Sequence, residues 1–143
     1  MQISKDNTIN IRLAIPSDTS EVLTFFEENI EISHDHIYNR EFVCPDGVKA
    51  AIRRKQMLIA KKEYGIVGAL RFYKKKTDGS ISLYQFAICK NHRKQGLLKQ
   101  MLSNINTGPV RVKCPKHSSM NHYFDKTGWI LHDAIGELNC WQL

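Results

Sequence analysis

Residues 81–114 limit the possible folds more than any other stretch of the chain. Ile81 to Cys89, ISLYQFAIC, is a mostly apolar run of strand length, apolar enough for the centre of a sheet. A polar, basic loop follows, Lys90-Asn91-His92-Arg93-Lys94-Gln95-Gly96. Leu97, Leu98, Met101, Leu102 and Ile105 then recur at a helical period over 96–105, and Thr107-Gly108-Pro109 stops that helix. Val110 to Cys114 reads as the next strand. A strand–helix–strand unit calls for an α/β architecture: a mixed sheet covered by helices on both faces.

The remaining elements fit around that unit. Asn10 to Ala14 is a short first strand, and Pro16 and Asp18 open a helix whose apolar stripe is Val22, Phe25, Phe26 and Ile30. Asp18 and Glu21 have capping-box spacing. Residues 31–46 are polar and irregular, and a second helix over 47–56 carries Val48, Ala51 and Ile52. A meander follows: strand 57–60, a turn at Glu63-Tyr64-Gly65, strand 66–73, and a hairpin at Thr77-Asp78-Gly79-Ser80 leading into strand 81–89. A short helix over 118–126 ends at Gly128, and 129–141 supplies the last strand or strands. No repeat or linker divides the 143 residues, so one domain is expected, with residues 1–8 as a flexible N-terminus.

Composition narrows the function. No run approaches the roughly 18 apolar residues of a membrane helix, and the polar N-terminus has no signal-peptide core, so a cytoplasmic protein without membrane contact is expected. Cys44, Cys89, Cys114 and Cys140 form no C-x-x-C pair, which argues against a zinc ribbon or redox dithiol. The net charge of +7 is unevenly placed: residues 1–47 hold three basic and nine acidic groups, and residues 48–143 hold 18 basic and five acidic. The basic part suits an anion, either a phosphorylated cofactor or a nucleic acid. The acidic part suits a cationic acceptor.

The loop at 90–96 carries the chemistry. It is basic and ends in glycine where a helix begins. The first amides of a helix lack partners within it, its dipole favours negative charge there, and glycine lets an anion approach the backbone. Together these make a pyrophosphate cradle. The stretch lacks the Gly-Lys-Ser/Thr end of a P-loop and the three glycines of a dinucleotide fingerprint.

Phe86 to Leu98, with Arg93 and Gly96 in place, resembles the acetyl-CoA motif R/Q-x-x-G-x-G/A of the GNAT superfamily, departing from it at Leu98. Asn121-His122-Tyr123-Phe124-Asp125-Lys126-Thr127-Gly128-Trp129 is similar to that family's C-terminal block, and the element order over 9–143 also follows it. The resemblance implies a GNAT fold splayed at strand 81–89, acetyl-CoA as cofactor, and acetyl transfer to a primary amine on a small molecule or a protein. It implies that the backbone of Phe86 and Ile88 pairs with the pantetheine arm. The amides of Arg93, Lys94, Gln95, Gly96, Leu97 and Leu98 would hold the pyrophosphate, and Asn121 and Phe124 would line the cofactor's far side. It places His34, His36, Tyr38 and Tyr84 at the acceptor site, with Glu31 and Asp35 drawing in a cationic amine. Pairing of two copies through their sheets is implied by the resemblance alone.

The acid and base stay open at this stage. A lysine-type amine must lose a proton near pKa 10.4 before it attacks, and the leaving thiolate must be stabilised. Family members often use a tyrosine as the acid, in the order Phe-Tyr. This chain reads Tyr123-Phe124, with Phe124 in the usual tyrosine place. One helical position turns a side chain by about 100°, so Tyr123 reaches the sulfur only on a suitably rotated helix. Three explanations stand: catalysis by positioning with water as relay, use of His117 or the His34-Asp35-His36 cluster, or acyl-CoA binding without efficient turnover. That cluster has the residue types of a metal site, but loop residues facing water are the commoner meaning, and no metal is expected. Two rival functions remain beside the transferase: a nucleic-acid-modifying or nucleic-acid-binding protein on the same fold, and a non-catalytic acyl-CoA-binding module.

Overall fold

The computed structural model describes residues 8–30, 44–105 and 107–143. Strands β1 (Asn10–Leu13), β2 (Met57–Lys62), β3 (Gly65–Lys74) and β4 (Ile81–Ile88) form one half of the sheet; β5 (Val110–Pro115), β6 (Ile130–Ile135) and β7 (Leu138–Gln142) form the other. The order is β1-β2-β3-β4-β5-β7-β6, an open seven-stranded mixed sheet. Only β4 and β5 run parallel; every other neighbour pair is antiparallel. The helices are α1 (Thr19–Asn29), α2 (Pro45–Arg53), α3 (Leu97–Ser103) and α4 (Met120–Lys126).

Strand alternation splits the core into two layers. Met57, Ile59, Ile66, Ala69 and Ala87 face α1 and α2, where Val22, Phe25, Phe26, Val48, Ala51 and Ile52 meet them. Leu58, Ala60, Leu70, Phe72, Ile81 and Leu83 face the α3 side, against Leu98, Met101, Leu102 and Phe124. A fully buried side chain of this size contributes about 1.5–3 kcal/mol, so both helical layers are held chiefly by packing. Gly68 is part of that fit: a Cβ there would lie 3.0 Å from Met101 Sδ and 3.1 Å from Ile88 Cδ1.

Helix α1 begins differently from the expected capping box. Pro16–Asp18 forms a 3-10 turn first, and the Asp18 side chain closes that turn through the Ile15 amide and makes no cap hydrogen bond to α1. Its carboxylate accepts instead from Arg12 at 2.8 and 3.1 Å and from the Ile15 amide at 2.8 Å. Glu21 is likewise drawn to Lys61 Nζ and the Ile66 amide. The tertiary partners offer a cation each, and neither carboxylate caps the first amides of α1. The Arg12 hydrogen bond holds the Asp18 carboxyl below its ordinary value, burial opposes it, and the Ile15 amide adds to the lowering. A lowered native value means the unfolded chain protonates first. The clamp's stabilisation is therefore complete above the unfolded carboxyl's pKa of about 3.9 and is lost as pH falls through the native value. Asp18→Asn should cost about 2 kcal/mol at pH 7 and lessen the acid sensitivity below pH 4, as read by urea titrations at both pH values.

At the C-terminal end, Gly128 (φ +93°) closes α4 as expected. The Trp129 amide reaches back to the Phe124 carbonyl at 3.0 Å, and their rings meet at 5.1 Å, the hydrogen bond and apolar contact of a Schellman closure. The final stretch is a hairpin, β6 and β7, with β6 on the outer edge and Ile130 and Ile135 exposed by 71% and 60%.

Candidate functional site

The sheet opens between its two halves. Strands β4 and β5 pair only at Ile81↔Val110, Ser82↔Arg111 and Leu83↔Val112. Beyond Leu83, β4 continues beside β3, and β5 continues beside β7. The Cys89 amide donates to Val67 O at 2.9 Å, towards β3. Backbone direction alternates along a strand, so Ile88 and Phe86 fall at positions whose N–H and C=O point away from β3, into the gap that β5 has left. The expected splay is present, with Phe86 and Ile88 on its edge.

At the end of that edge lies the glycine turn. A 3-10 turn at Lys90–His92 starts it, braced by the 3.0 Å approach of Cys89 Sγ to His92 Nδ1 and by Tyr64 on the other ring nitrogen at 3.4 Å. Lys94 (φ +65°) and Gly96 (φ +76°) are both left-handed. Turns of mixed hand gather successive N–H groups into an anion-sized concavity. Among the described residues, no amide from Lys94 to Lys99 donates to a backbone carbonyl outside α3, and the first amides of α3 have none within it. A Cβ at Gly96 would meet nothing within 4 Å. Lys94 and Gln95 are exposed, while the side chains of Leu97 and Leu98 anchor α3 in the core and leave only their amides to the turn.

Arg93 departs from expectation. Its amide is turned to Lys90 O at 3.4 Å, and its guanidinium bonds Ile88 O at 2.8 Å and Asn29 O at 3.3 Å. It is a strut tying the turn to β4 and α1, and its amide leaves the expected cradle.

Helix α4 faces the splay with an aromatic group. Phe124 is 1% exposed and packs on Phe86, Tyr123, Trp129 and Trp141, so it offers no surface to a cofactor, and that expectation is corrected. The half-buried ring is Tyr123, 6.2 Å from Phe86 between centroids. The helix is thus rotated so that the reversed Tyr-Phe order still sets a phenol beside the slot-edge strand. Burial raises the Tyr123 phenol above its usual value, with a Thr127 hydrogen bond acting against the rise.

Asn121 is also corrected. Its Nδ2 donates to the carbonyls of Pro115, Lys116 and Ser118, and its Oδ1 accepts from Cys114 Sγ, Asn139 Nδ2 and Trp141 Nε1. Six contacts occupy the amide fully, which makes it a tie between β5, α4 and β7. Nothing in the residue pattern distinguished that role from ligand binding.

His117 is exposed in the β5–α4 turn. Tyr84 is 39% exposed where the splay begins, with the Arg71 guanidinium 4.5 Å over its ring, a contact the sequence did not signal. His34, His36 and Tyr38, with Glu31 and Asp35, lie outside the described residues. Among the described residues no group of three His, Cys, Asp or Glu is placed to hold a metal, and no helix is long and apolar enough to cross a membrane.

No family model and no curated protein sequence matches the chain. Solved structures do. The PaiA N-acetyltransferase of Thermoplasma acidophilum, in complex with coenzyme A, superposes with a TM-score of 0.73 at 16% identity, over 94% of this chain and 98% of that one. A GNAT-family acetyltransferase from Listeria monocytogenes gives 0.70 at 13% identity, over 94% of each chain. The diaminobutyrate acetyltransferase EctA of Paenibacillus lautus, in complex with L-2,4-diaminobutyric acid and coenzyme A, gives 0.62 at 12% identity, over 94% and 93%. A splayed seven-stranded sheet with a glycine turn at its central strand, matched end to end by these structures, gives this chain the fold of the GNAT acetyltransferases.

Proposed function

We propose that this protein transfers the acetyl group of acetyl-CoA to a primary amine. The parting of β4 from β5 carries the reading: it leaves a strand edge that β5 no longer pairs, with Arg93 on the Ile88 carbonyl, leading to a turn of unpartnered amides, a slot for a chain-like ligand with a phosphate end. The structural neighbours crystallised with coenzyme A support the same choice of cofactor.

In this reading the pantetheine arm pairs with Phe86 and Ile88 as an added strand. The amides of Lys94 to Leu98 take the pyrophosphate. The neutral amine nitrogen attacks the thioester carbonyl carbon, and the Ile88 amide faces the oxygen as it gains charge. The C–S bond then breaks. The proton of the attacking nitrogen leaves to solvent, and the thiolate is protonated by the Tyr123 phenol. Burial raises that phenol above its ordinary value near 10, so the donor is protonated at neutral pH. This reading selects Tyr123 over His117.

The test of the cofactor is a thermal shift with acetyl-CoA. At 100 times Kd, binding should add about 2.7 kcal/mol of stability, and free CoA should compete. No shift and no competition would remove the reading. Tyr123→Phe should leave that shift in place and lower kcat about 100-fold, measured by thiol release against an amine panel. An unchanged kcat would return catalysis to positioning and water.

One observation favours a second reading. A hollow of about 650 Å³, at the opposite end of α3 from the glycine turn, is lined among the described residues by Arg12, Arg54, Lys55 and Lys74 and by no carboxylate. A nucleic-acid strand lying there would show affinity that falls steeply with salt. Arg12 is already held by Asp18, which leaves three cations, and the acetyl-transfer reading is kept first.

A further inference from the structure

Arg71 is a half-buried cation that makes no ion pair among the described residues. It lies on β3 opposite Gln85, and its side chain is half-buried on the α1–α2 side of the sheet. Its guanidinium is wedged in place. The Tyr84 ring lies 4.5 Å below Cζ, and the first turn of α2 closes the other side, where a Cβ on Gly47 would come within 3.1 Å of Nη1. The described acidic side chains do not neutralise it: Glu21 is taken by Lys61, and Asp46, one residue from Gly47, makes no ion pair. Holding an arginine this way costs rotamer freedom and part of its hydration, and stacking on one tyrosine returns only part of that.

Its place relative to the slot gives it a use. Leu83↔Val112 is the last β4–β5 pair, and Tyr84 and Gln85 come next along β4. Arg71 therefore stands one strand in from where the sheet opens, on the opposite face from α3 and its glycine turn. Tyr84 is 39% exposed and Arg71 is part-exposed beside it, so the α1–α2 face offers an acceptor a polar approach to the slot. A planar, oriented guanidinium matches a carboxylate in two parallel hydrogen bonds, which a lysine there would not do.

Resting on the acetyl-transfer reading, the geometry points to Arg71 as the group that recognises a carboxylate on the acceptor. The acceptor class is then an amine that also carries a carboxylate, not a bare polyamine. Tyr84 positions the guanidinium, and the missing Cβ at Gly47 makes room for it.

The test uses the full chain loaded with CoA and two matched pairs of probes: L-ornithine against 1,4-diaminobutane, and L-lysine against 1,5-diaminopentane. Each pair differs by one carboxylate. Affinities are read by isothermal titration calorimetry in the wild type and in Arg71→Gln, and contact with the guanidinium is read from the arginine Nε–H resonance that disappears in Arg71→Lys. At least one amino acid should shift it saturably, with an affinity tenfold or more above that of its diamine. Arg71→Gln should abolish that preference and leave the acetyl-CoA thermal shift unchanged. Equal affinities within both pairs, no movement with either amino acid, or a preference that survives Arg71→Gln would overturn the assignment. Loss of the acetyl-CoA shift in the wild-type chain would instead overturn the cofactor reading beneath it.

Discussion

Gly96→Glu is expected to abolish acetyl-CoA binding while the protein still folds. Gly96 sits at φ +76° with open space where a Cβ would go, so no neighbour must move to admit a side chain. The left-handed backbone itself costs a non-glycine residue roughly 1–2 kcal/mol, a loss a folded domain of this size tolerates. The new carboxylate, however, extends from the turn whose Lys94 to Lys99 amides lack backbone partners outside α3, the turn that the proposed function gives to the pyrophosphate. It fills the concavity and repels phosphate together. Gly96→Ala separates the two effects: it carries the same backbone strain without the charge, and it should keep most of the thermal shift. If Gly96→Glu retains full affinity for acetyl-CoA, this turn does not hold the phosphates.

Asn121→Ala should produce the largest loss of stability. The substitution removes one side-chain amide and strands partners on three elements: the Trp141 indole N–H, the Asn139 amide, the Cys114 thiol and three backbone carbonyls. Carbonyls at the turn can turn to water, but Trp141 is 6% exposed and, among the described residues, its indole N–H donates to Asn121 alone. Leaving buried polar groups unsatisfied costs about 1–3 kcal/mol each, so a total of about 3 kcal/mol is expected, or roughly 10 °C in Tm. Differential scanning calorimetry measures it directly. A change below about 1 kcal/mol would mean that water replaces the amide at little cost.

The backbone plan was readable because its signals are local. The hairpin at Asp78-Gly79 declares itself by residue type, and Gly79 does adopt φ +72°. The stripe of Leu98, Met101, Leu102 and Ile105 fixes the buried face of α3 without knowledge of what covers it. The glycine turn was readable for the same reason, since helix start, charge and glycine lie within seven residues. What failed depended on partners distant in sequence. Asp18 and Glu21 have the spacing of a cap, yet Arg12, Lys61 and Ile66 claim them. Arg93 matches a cofactor motif by position and is spent bridging Ile88 and Asn29. Phe124 and Tyr123 exchange the roles their order suggested, because the turn of α4 is set by the fit of Phe124 against Trp129 and Trp141, both still to come in the chain. Arg71 carried no local signal at all; only folding sets it over Tyr84 and against Gly47.

The shortness of the β4–β5 ladder has a mechanical side. Among the described residues, three residue pairs, beginning at the Ile81 amide's 2.8 Å bond to Pro109 O, are the backbone seam between four strands and three. Past Leu83 only side chains, chiefly the aromatic group around Phe124, span the divide. The sheet is therefore two stiff plates joined at one short hinge. A guest lying along Phe86 and Ile88, as the proposed function has it, would supply missing rungs, and the empty protein would then be the looser of the two states.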